Sequence, residues 1–421
     1  MFQPQWSPKN AHKARFAIIS DCHVPNTIYK EYFSLALDTF RAIGDMDGLL
    51  MLGDIIYQDG KELVNERYDP VMELLNEKMA GIPFVYTLGN HEAPLINENA
   101  LTPELMERVC ALFEEKVGQP VKYHTTIAGY HFITDKTVKA PDIAWIREKL
   151  EEAEREDAEK PVFLMLHDCF ESLLTNTIRY SHAWRKEMYD LLQAHPRVVA
   201  LVGHLHMVAQ CPDIIVQDGF TVVQVPGLGE TGFILGDGLF DNFEKRIEPQ
   251  ALLMEIENNL VTIYKLDLKN GECVGKPFVI DVAAVRDGKQ IYSHKNRELS
   301  ARPHFPAGSS LSVEMDGKET RLCFNRAENE PVNAWSQDDF VSAYRVEVCQ
   351  RDSGENVFST LVVSNYYRAN TPEQITKDYT QVLPELVPGQ SYIASVTPIG
   401  AFRKEGEPLK TEFSVPVGAN T

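Results

Sequence analysis

The sequence predicts an α/β domain over residues 1–290 and a smaller all-β domain over residues 308–421, joined by a linker at residues 291–307. In the first part, short apolar runs alternate with longer segments in which apolar residues recur at helical spacing, as in a largely parallel sheet with covering helices. In the last part, apolar and polar residues alternate over short runs between turn residues, as in a β-sandwich. Between the two parts, over residues 287–309, this periodicity fades among charged residues and prolines.

Five apolar runs in the first part are predicted strands. Each is rich in β-branched or large apolar residues and suits a strand that is buried on both faces. Between the runs, sets such as Phe33, Leu37 and Phe40 have the spacing of one helix face. Residues 251–265 predict a further pair of strands, expected to complete the second sheet of this domain. The five runs are residues 16–19, 49–52, 83–88, 161–166 and 198–202.

A short polar motif that can bind metal follows each of these five runs. Because ligands gather beyond the carboxyl ends of the strands in open α/β sheets, we expect the motifs to converge in space. In chain order they are Asp21-Cys22-His23, Gly53-Asp54, Gly89-Asn90-His91-Glu92, His167-Asp168 and Gly203-His204-Leu205-His206.

Together these motifs resemble the D-x-H, G-D, G-N-H-E, H and G-H-x-H set of the calcineurin-like metallophosphoesterase superfamily. The resemblance covers about residues 14–270. It implies a four-layer α/β/β/α sandwich, in which two sheets are flanked by helices and two metal ions lie at one edge.

The resemblance also implies the ligands of a dinuclear centre. A set of carboxylate, amide and imidazole groups without thiolates suits Mn, Fe or Zn better than Ca or Mg, so we expect two divalent transition metal ions as cofactors. The implied ligands are Asp21, His23 and His206 for the first ion, Asn90, His167 and His204 for the second, and Asp54 as the bridge.

The charge of such a centre favours a phosphate substrate. Two divalent ions bring about four positive charges, of which two carboxylates and a bridging hydroxide leave roughly one for the incoming phosphate. The expected nucleophile is that hydroxide rather than a side chain, in an in-line displacement at phosphorus.

His91 is not among the implied ligands, and the resemblance assigns it contact with the phosphate and protonation of the leaving oxygen. In phosphoprotein phosphatases, the position three after the bridging Asp is an Asp that pairs with this imidazole, whereas here it is Tyr57. The residue that orients His91 is therefore open, with Asp59 and Glu92 as candidates. A protein Ser/Thr phosphatase is disfavoured.

Tyr57 allows two interpretations. In purple acid phosphatases a Tyr at this place binds ferric iron, but there the first motif has Gly where this chain has His23. We therefore favour a Tyr57 that contacts the ligands or the substrate over one that binds iron. Two loops are further candidates: residues 175–184, with Arg179 and His182, are expected to cover the site, and the glycine-rich residues 227–233 form either a plain turn or a substrate contact.

Composition limits the partners. The 421 residues are 44% hydrophobic and 24% charged, as expected for a globular protein of two domains. The net charge of −20 disfavours a nucleic acid polymer or an anionic membrane and favours a small phosphorylated substrate. We expect a cytoplasmic protein, because no apolar leader precedes the first strand; a leader trimmed from the chain would make it a secreted one. The oligomeric state is left open.

The C-terminal domain has a further motif. Residues 386–392 resemble the L-x-P-x-x-x-Y tyrosine corner of fibronectin type III domains, and the likeness covers about residues 308–419. The domain contains no cluster of catalytic residues, so we expect a scaffold rather than a carbohydrate- or protein-binding module.

The predicted function is that of a dinuclear metal-dependent phosphohydrolase acting on small phosphomonoesters. One alternative is a phosphodiesterase of the cyclic-nucleotide or phospholipid-headgroup type, because a dinuclear centre handles both ester classes. A second is a scaffold without activity, which the complete set of motifs disfavours.

Overall fold

The computed structural model describes residues 5–6, 8–10, 13–58, 60, 62–94, 101–168, 183–234, 243–246, 248–316, 319–330 and 340–417. These residues form two compact units. The first extends to His294 and the second begins at Lys295. The predicted linker contains a short helix, α7, at His294–Arg297.

The first unit has the predicted α/β fold. Its strands are β1 (Lys13–Ile19), β2 (Gly48–Met51), β3 (Phe84–Tyr86), β4 (Tyr123–Ile127), β5 (Tyr130–Thr134), β6 (Val162–Leu166), β7 (Val198–Val202), β8 (Ile215–Asp218), β9 (Phe220–Gln224), β10 (Thr231–Ile234), β11 (Phe243–Arg246), β12 (Gln250–Glu257), β13 (Leu260–Asp267), β14 (Glu272–Cys273) and β15 (Phe278–Asp281). Its helices are α1 (Thr27–Ile43), α2 (Asp69–Lys78), α3 (Pro103–Val117), α4 (Ile143–Glu156), α5 (Ala183–Gln193) and α6 (Val282–Arg286).

Two sheets carry the five motifs. The first has the order β14-β13-β12-β1-β2-β3, with β15 also paired to β13, and the second has the order β4-β5-β6-β7-β9-β8. Strands β1, β2 and β3 run parallel, as do β5, β6, β7 and β9. Ile19 of β1 is level with Met51 of β2, and Met51 with Tyr86 of β3, so these strands end together at one edge. The first three motifs therefore start from the same edge of the first sheet.

The sheets face each other, with helices on their outer sides. Phe16 of β1 lies against Phe132 of β5, with ring centroids 4.8 Å apart. The alternate residues Ala17 and Ile19 point the other way and pack in the core shared with helices α1, α2 and α3. Helix α4 contacts β5 and α5 on the outside of the second sheet. This is the predicted α/β/β/α arrangement.

Strands β12 and β13 correct one expectation. They pair antiparallel with each other, and β12 pairs with β1, so they extend the first sheet and not the second. Their alternating pattern predicted strands but contained nothing about the neighbouring strand, because pairing is decided by contacts far apart in sequence.

Helix boundaries follow local capping. Asp142 caps α4 by accepting a hydrogen bond from the Trp145 N–H at 3.0 Å. Ile146 and Leu150 form part of the buried face of α4, while most of the acidic side chains at residues 151–159 are exposed or half-buried.

The structure describes no helix that is both long and apolar enough to cross a membrane.

The second unit is all-β, as predicted. A three-stranded sheet, β16-β17-β20, and a four-stranded sheet, β19-β18-β21-β22, share one hydrophobic core. In this core the buried Tyr392 accepts a hydrogen bond from the Val387 N–H at 3.0 Å, which is the contact of a tyrosine corner. The strands are β16 (Leu311–Asp316), β17 (Glu319–Asn325), β18 (Val341–Gln350), β19 (Asn356–Val363), β20 (Asp378–Val382), β21 (Ser391–Gly400) and β22 (Leu409–Ser414).

Candidate metal centre

The motifs converge at the carboxyl ends of the strands in the first unit. Their side chains form two groups able to hold a metal ion, and Asp54 belongs to both. Within each group the possible ligand atoms all lie within 4.8 Å of one another. The first group is Asp21, His23, Asp54 and His206, and the second is Asp54, His167 and His204.

The first group is built around His206. Its Nε2 lies 3.1 Å from Asp21 Oδ1 and 3.2 Å from His23 Nε2. Its Nδ1–H donates to the Glu230 carbonyl at 3.0 Å, which orients the ring and leaves Nε2 facing Asp21 and His23.

The second group is built around Asn90. Its Oδ1 lies 3.0 Å from His167 Nε2 and 2.9 Å from His204 Nδ1. The other nitrogen of His167 donates to the Leu52 carbonyl at 2.6 Å, so that Nε2 faces the site. Asn90 therefore joins the second group, as the motif resemblance implies.

These distances fit bound transition metal ions. Ligands bonded at about 2.1 Å and at right angles lie roughly 3.0 Å apart, close to the separations of 2.9–3.2 Å found here. Between the two groups, the buried Asp54 Oδ2 lies 3.0 Å from His167 Nε2 and 3.8 Å from His91 Nε2. An oxygen in this position is available to bridge two cations.

The charges of the site also suit cation binding. Burial alone would raise the pKa of the Asp54 carboxyl, but His167 and His91 hold that pKa well below its usual range. Burial lowers the pKa of His23 to about 4, so its imidazole is neutral near pH 7, as ligation requires. Despite its burial, His167 has a pKa raised to about 10 by Asp54 and Asp21. A cation bound in the site would supply the positive charge that the His167 proton places beside these carboxylates.

Five of the candidate ligands have left-handed backbone conformations, which cost a non-glycine residue about 1–3 kcal/mol each. Hydrogen bonds from neighbouring segments hold the first motif in this shape: Gly229 N–H donates to the Asp21 carbonyl at 2.9 Å, and His23 N–H donates to the Asp54 carbonyl at 2.9 Å. Strain of this kind is typical of functional sites. The φ values are 53° for Asp21, 53° for His23, 50° for Asp54, 73° for His204 and 51° for His206.

Glu92 is wholly buried and binds the backbone beneath the site. Its Oε2 accepts from the N–H groups of Gly89 (2.7 Å) and Asp54 (2.9 Å). Its Oε1 accepts from the N–H groups of Ile55 (2.9 Å) and Ile56 (3.4 Å) and from the Tyr86 hydroxyl (2.7 Å). Burial and Asp54 raise the pKa of Glu92 to about 7, although the hydrogen bonds from these donors act to lower it. Glu92 makes no hydrogen bond to His91, so its candidacy as the orienter of that ring is wrong. It ties the Gly89 turn to the Asp54 turn.

His91 reaches the centre from the same turn. Its backbone N–H donates to Asp54 Oδ1 at 2.7 Å, and its ring Nε2 lies 3.8 Å from Asp54 Oδ2. The half-buried Tyr57 stacks on the His91 ring. His91 therefore lies beside Asp54, the candidate bridging ligand.

Residues 14–208 match the family of calcineurin-like phosphoesterases. The chain contains a calcineurin-like metallophosphoesterase domain. This confirms, for this domain, the resemblance that the five motifs carry.

Three known proteins are similar to parts of this chain. The DNA double-strand break repair protein Mre11 of Sulfurisphaera tokodaii is 25% identical over 269 residues, which cover 61% of this chain and 63% of the relative. The chain thus spans less than two thirds of this curated relative. A purple acid phosphatase from yellow lupin is 14% identical over 65% of this chain and 55% of its own, with a TM-score of 0.49. The third fibronectin III domain of a human protein is 16% identical over 28% of this chain and 86% of its own, with a TM-score of 0.18.

The structure describes only some of the remaining predicted site residues. Tyr57 contacts the centre of the metallophosphoesterase domain, whereas Asp59, Arg179 and His182 lie outside the described residues. In the loop at residues 227–233, backbone groups support the candidate ligands.

Two contributors to the centre were missed from the sequence. The Glu230 carbonyl orients His206, and the Leu52 carbonyl orients His167. A carbonyl occurs at every residue, so no residue type marks these two positions. A third position is marked by its residue type: a Cβ on Gly89 would collide with Asp54, so glycine is needed there for a close approach.

Proposed function

We propose that this chain is a dinuclear metal-dependent phosphohydrolase that acts on small phosphomonoesters. The observation that supports it most is the position of Asp54, whose buried carboxylate belongs to two groups of candidate ligands at once. Asp21, His23 and His206 would hold one ion, and Asn90, His167 and His204 the other.

When bound, the two ions supply Lewis-acid activation of a water molecule and neutralise the charge of the phosphate. Side chains of the protein would adjust the charge of the centre and transfer the proton. Asp21 and Asp54 reduce the positive charge of the centre, so that a phosphate is bound but can also leave. His91 presents Nε2 beside Asp54, where it can bind a phosphoryl oxygen and deliver a proton to the leaving oxygen.

The net charge supports a small substrate. At −20, the chain repels a polyanion at long range, while a phosphate that enters the centre meets local positive charge. A small phosphorylated molecule is therefore favoured over a nucleic acid polymer.

The second candidate is a phosphodiesterase. It is favoured by the relative named as a DNA double-strand break repair protein, which aligns over 61% of this chain. A third, a scaffold without activity, is opposed by the complete set of ligand side chains and His91. For the second unit we propose a fibronectin type III-like scaffold, supported by the tyrosine-corner contact of Tyr392.

The test uses the whole chain, stripped of metal and reloaded with Mn, Fe or Zn. Metal content and turnover of p-nitrophenyl phosphate and bis-p-nitrophenyl phosphate are measured for the parent chain, for Asp54→Asn and for the half-exposed control Asp38→Asn. We expect two ions per chain and faster turnover of the monoester, both lost in Asp54→Asn and kept in the control.

Faster turnover of the diester would favour the second candidate. Failure to bind metal or to hydrolyse either ester under all three conditions would refute both enzymatic proposals and leave the scaffold.

A further inference from the structure

The plane of the His91 ring is not held by any hydrogen bond within the described part of the chain. Its Nδ1 is buried without a hydrogen-bond partner there. Its Nε2 lies 3.8 Å from Asp54 Oδ2, beyond hydrogen-bonding range. The bond from the His91 N–H to Asp54 holds the backbone only. Because the torsion that turns an imidazole has a broad energy minimum, another contact must select the orientation of the ring.

The ring of Tyr57 provides this contact. It stacks on the imidazole of His91 with centroids 4.8 Å apart and planes at 29°. The same phenol ring meets His23 at 5.6 Å and 60°, and His23 meets His91 at 4.8 Å and 70°. One face of the His91 ring is therefore covered by Tyr57, and its rotation is further limited by the ring of His23.

The backbone keeps Tyr57 in place. Its N–H donates to the Val24 carbonyl at 2.8 Å, and the next N–H, of Gln58, donates to the His91 carbonyl at 2.9 Å. The buried Gln58 side chain binds both the N–H and the carbonyl of Val64, each at 3.0 Å. The segments that carry the two stacked rings are thus bonded directly to each other.

We infer that Tyr57 is the positioning residue of His91 and that it acts through the face of its ring, not through its hydroxyl. This inference rests on the proposed function, because it assigns His91 the proton transfer. Loss of one aromatic pair corresponds to roughly a 2- to 12-fold fall in the population of the oriented ring. The fall should reduce kcat more than it raises KM, and it should leave the metal content unchanged.

Four variants test this inference: Tyr57→Phe, which keeps the ring, Tyr57→Leu, which removes it, His91→Ala, and the double variant. Turnover is compared for phenyl phosphate, whose leaving group needs a proton, and p-nitrophenyl phosphate, whose leaving group needs it less. We expect Tyr57→Phe to match the parent chain. Tyr57→Leu should lose roughly 2- to 12-fold in kcat on phenyl phosphate and less on the nitrophenyl ester. The double variant should be no slower than His91→Ala.

Three results would overturn the inference. Tyr57→Phe as slow as Tyr57→Leu would assign the role to the hydroxyl. A double variant slower than His91→Ala by the full factor would make the two residues independent. Unchanged kcat in Tyr57→Leu would remove the role altogether.

If the parent chain hydrolyses neither ester, the proposed function fails, and the positioning of the ring is then tested by NMR on the chain with isotope-labelled histidine. The His91 ring signals should be shifted by the stacked ring in the parent chain and in Tyr57→Phe, and should move in Tyr57→Leu. Identical His91 signals in all three would refute the positioning role independently of activity.

Discussion

Replacing Glu92 by Gln should destabilise the first unit although the two side chains have nearly the same shape. The carboxylate of Glu92 accepts five hydrogen bonds, two at Oε2 and three at Oε1, of which the bond from the Ile56 N–H is long at 3.4 Å. A Gln amide puts an NH2 group against all the donors at one of the two oxygens. In the less costly orientation the NH2 group replaces Oε1, the Tyr86 hydroxyl turns to accept, and the Ile55 N–H and the more distant Ile56 N–H are left unpaired.

The size of the effect follows from these contacts. Leaving the buried Ile55 N–H unpaired costs about 1–3 kcal/mol, and loss of the long Ile56 contact adds little to this. Replacing charged by neutral acceptors weakens the remaining bonds by roughly 1–2 kcal/mol in sum. The raised pKa of Glu92 shows that its charged form is itself unfavourable, which offsets part of the loss. The total is about 2–4 kcal/mol, or a fall of roughly 3–7 °C in the Tm of a unit of this size.

Calorimetry of the full chain measures this fall in the transition of the first unit. Tyr86→Phe removes one donor and keeps the ring packed on Phe113, so it should lose less than Glu92→Gln. The exposed Glu151→Gln is the neutral control. A Glu92→Gln variant that melts within about 1 °C of the parent and binds the same amount of metal would refute a role for Glu92 in holding the two turns.

Three further outcomes are expected. Gly89→Ala should bind less metal by elemental analysis, because its methyl group meets Asp54; full metal content would contradict this. Tyr392→Phe should lower only the calorimetric transition of the second unit, by about 1–2 kcal/mol, since a buried hydrogen bond is lost; an unchanged transition would rule out that contribution. Partial burial and His131 lower the pKa of His124 from 6.5, so the unfolded chain binds more protons than the folded one. The free energy of unfolding should then decrease as pH falls through 6.5, and His124→Gln should flatten this slope in urea titrations; an equal slope in both proteins would refute it.

The Gly-Asn-His-Glu motif illustrates how far the sequence leads. Its residue types and its place after an apolar run predicted a metal-binding turn, and the structure brings Asn90 to His167 and His204. The same residues did not reveal what Glu92 binds. Its partners are mostly backbone N–H groups, which are present at every non-proline residue and leave no mark in a sequence.

Local patterns were sufficient for the strands that end at the centre, for the candidate ligands and for the all-β character of the C-terminal unit. Hydrophobic periodicity and metal-binding residue types are properties of short segments, so they can be recognised without knowledge of the tertiary structure. Only the tertiary structure decided that β12 extends the sheet of β1, that backbone carbonyls of Leu52 and Glu230 orient two imidazoles, and that Tyr57 covers His91. Each of these contacts joins groups that are distant in sequence, so their geometry exists only in the folded chain.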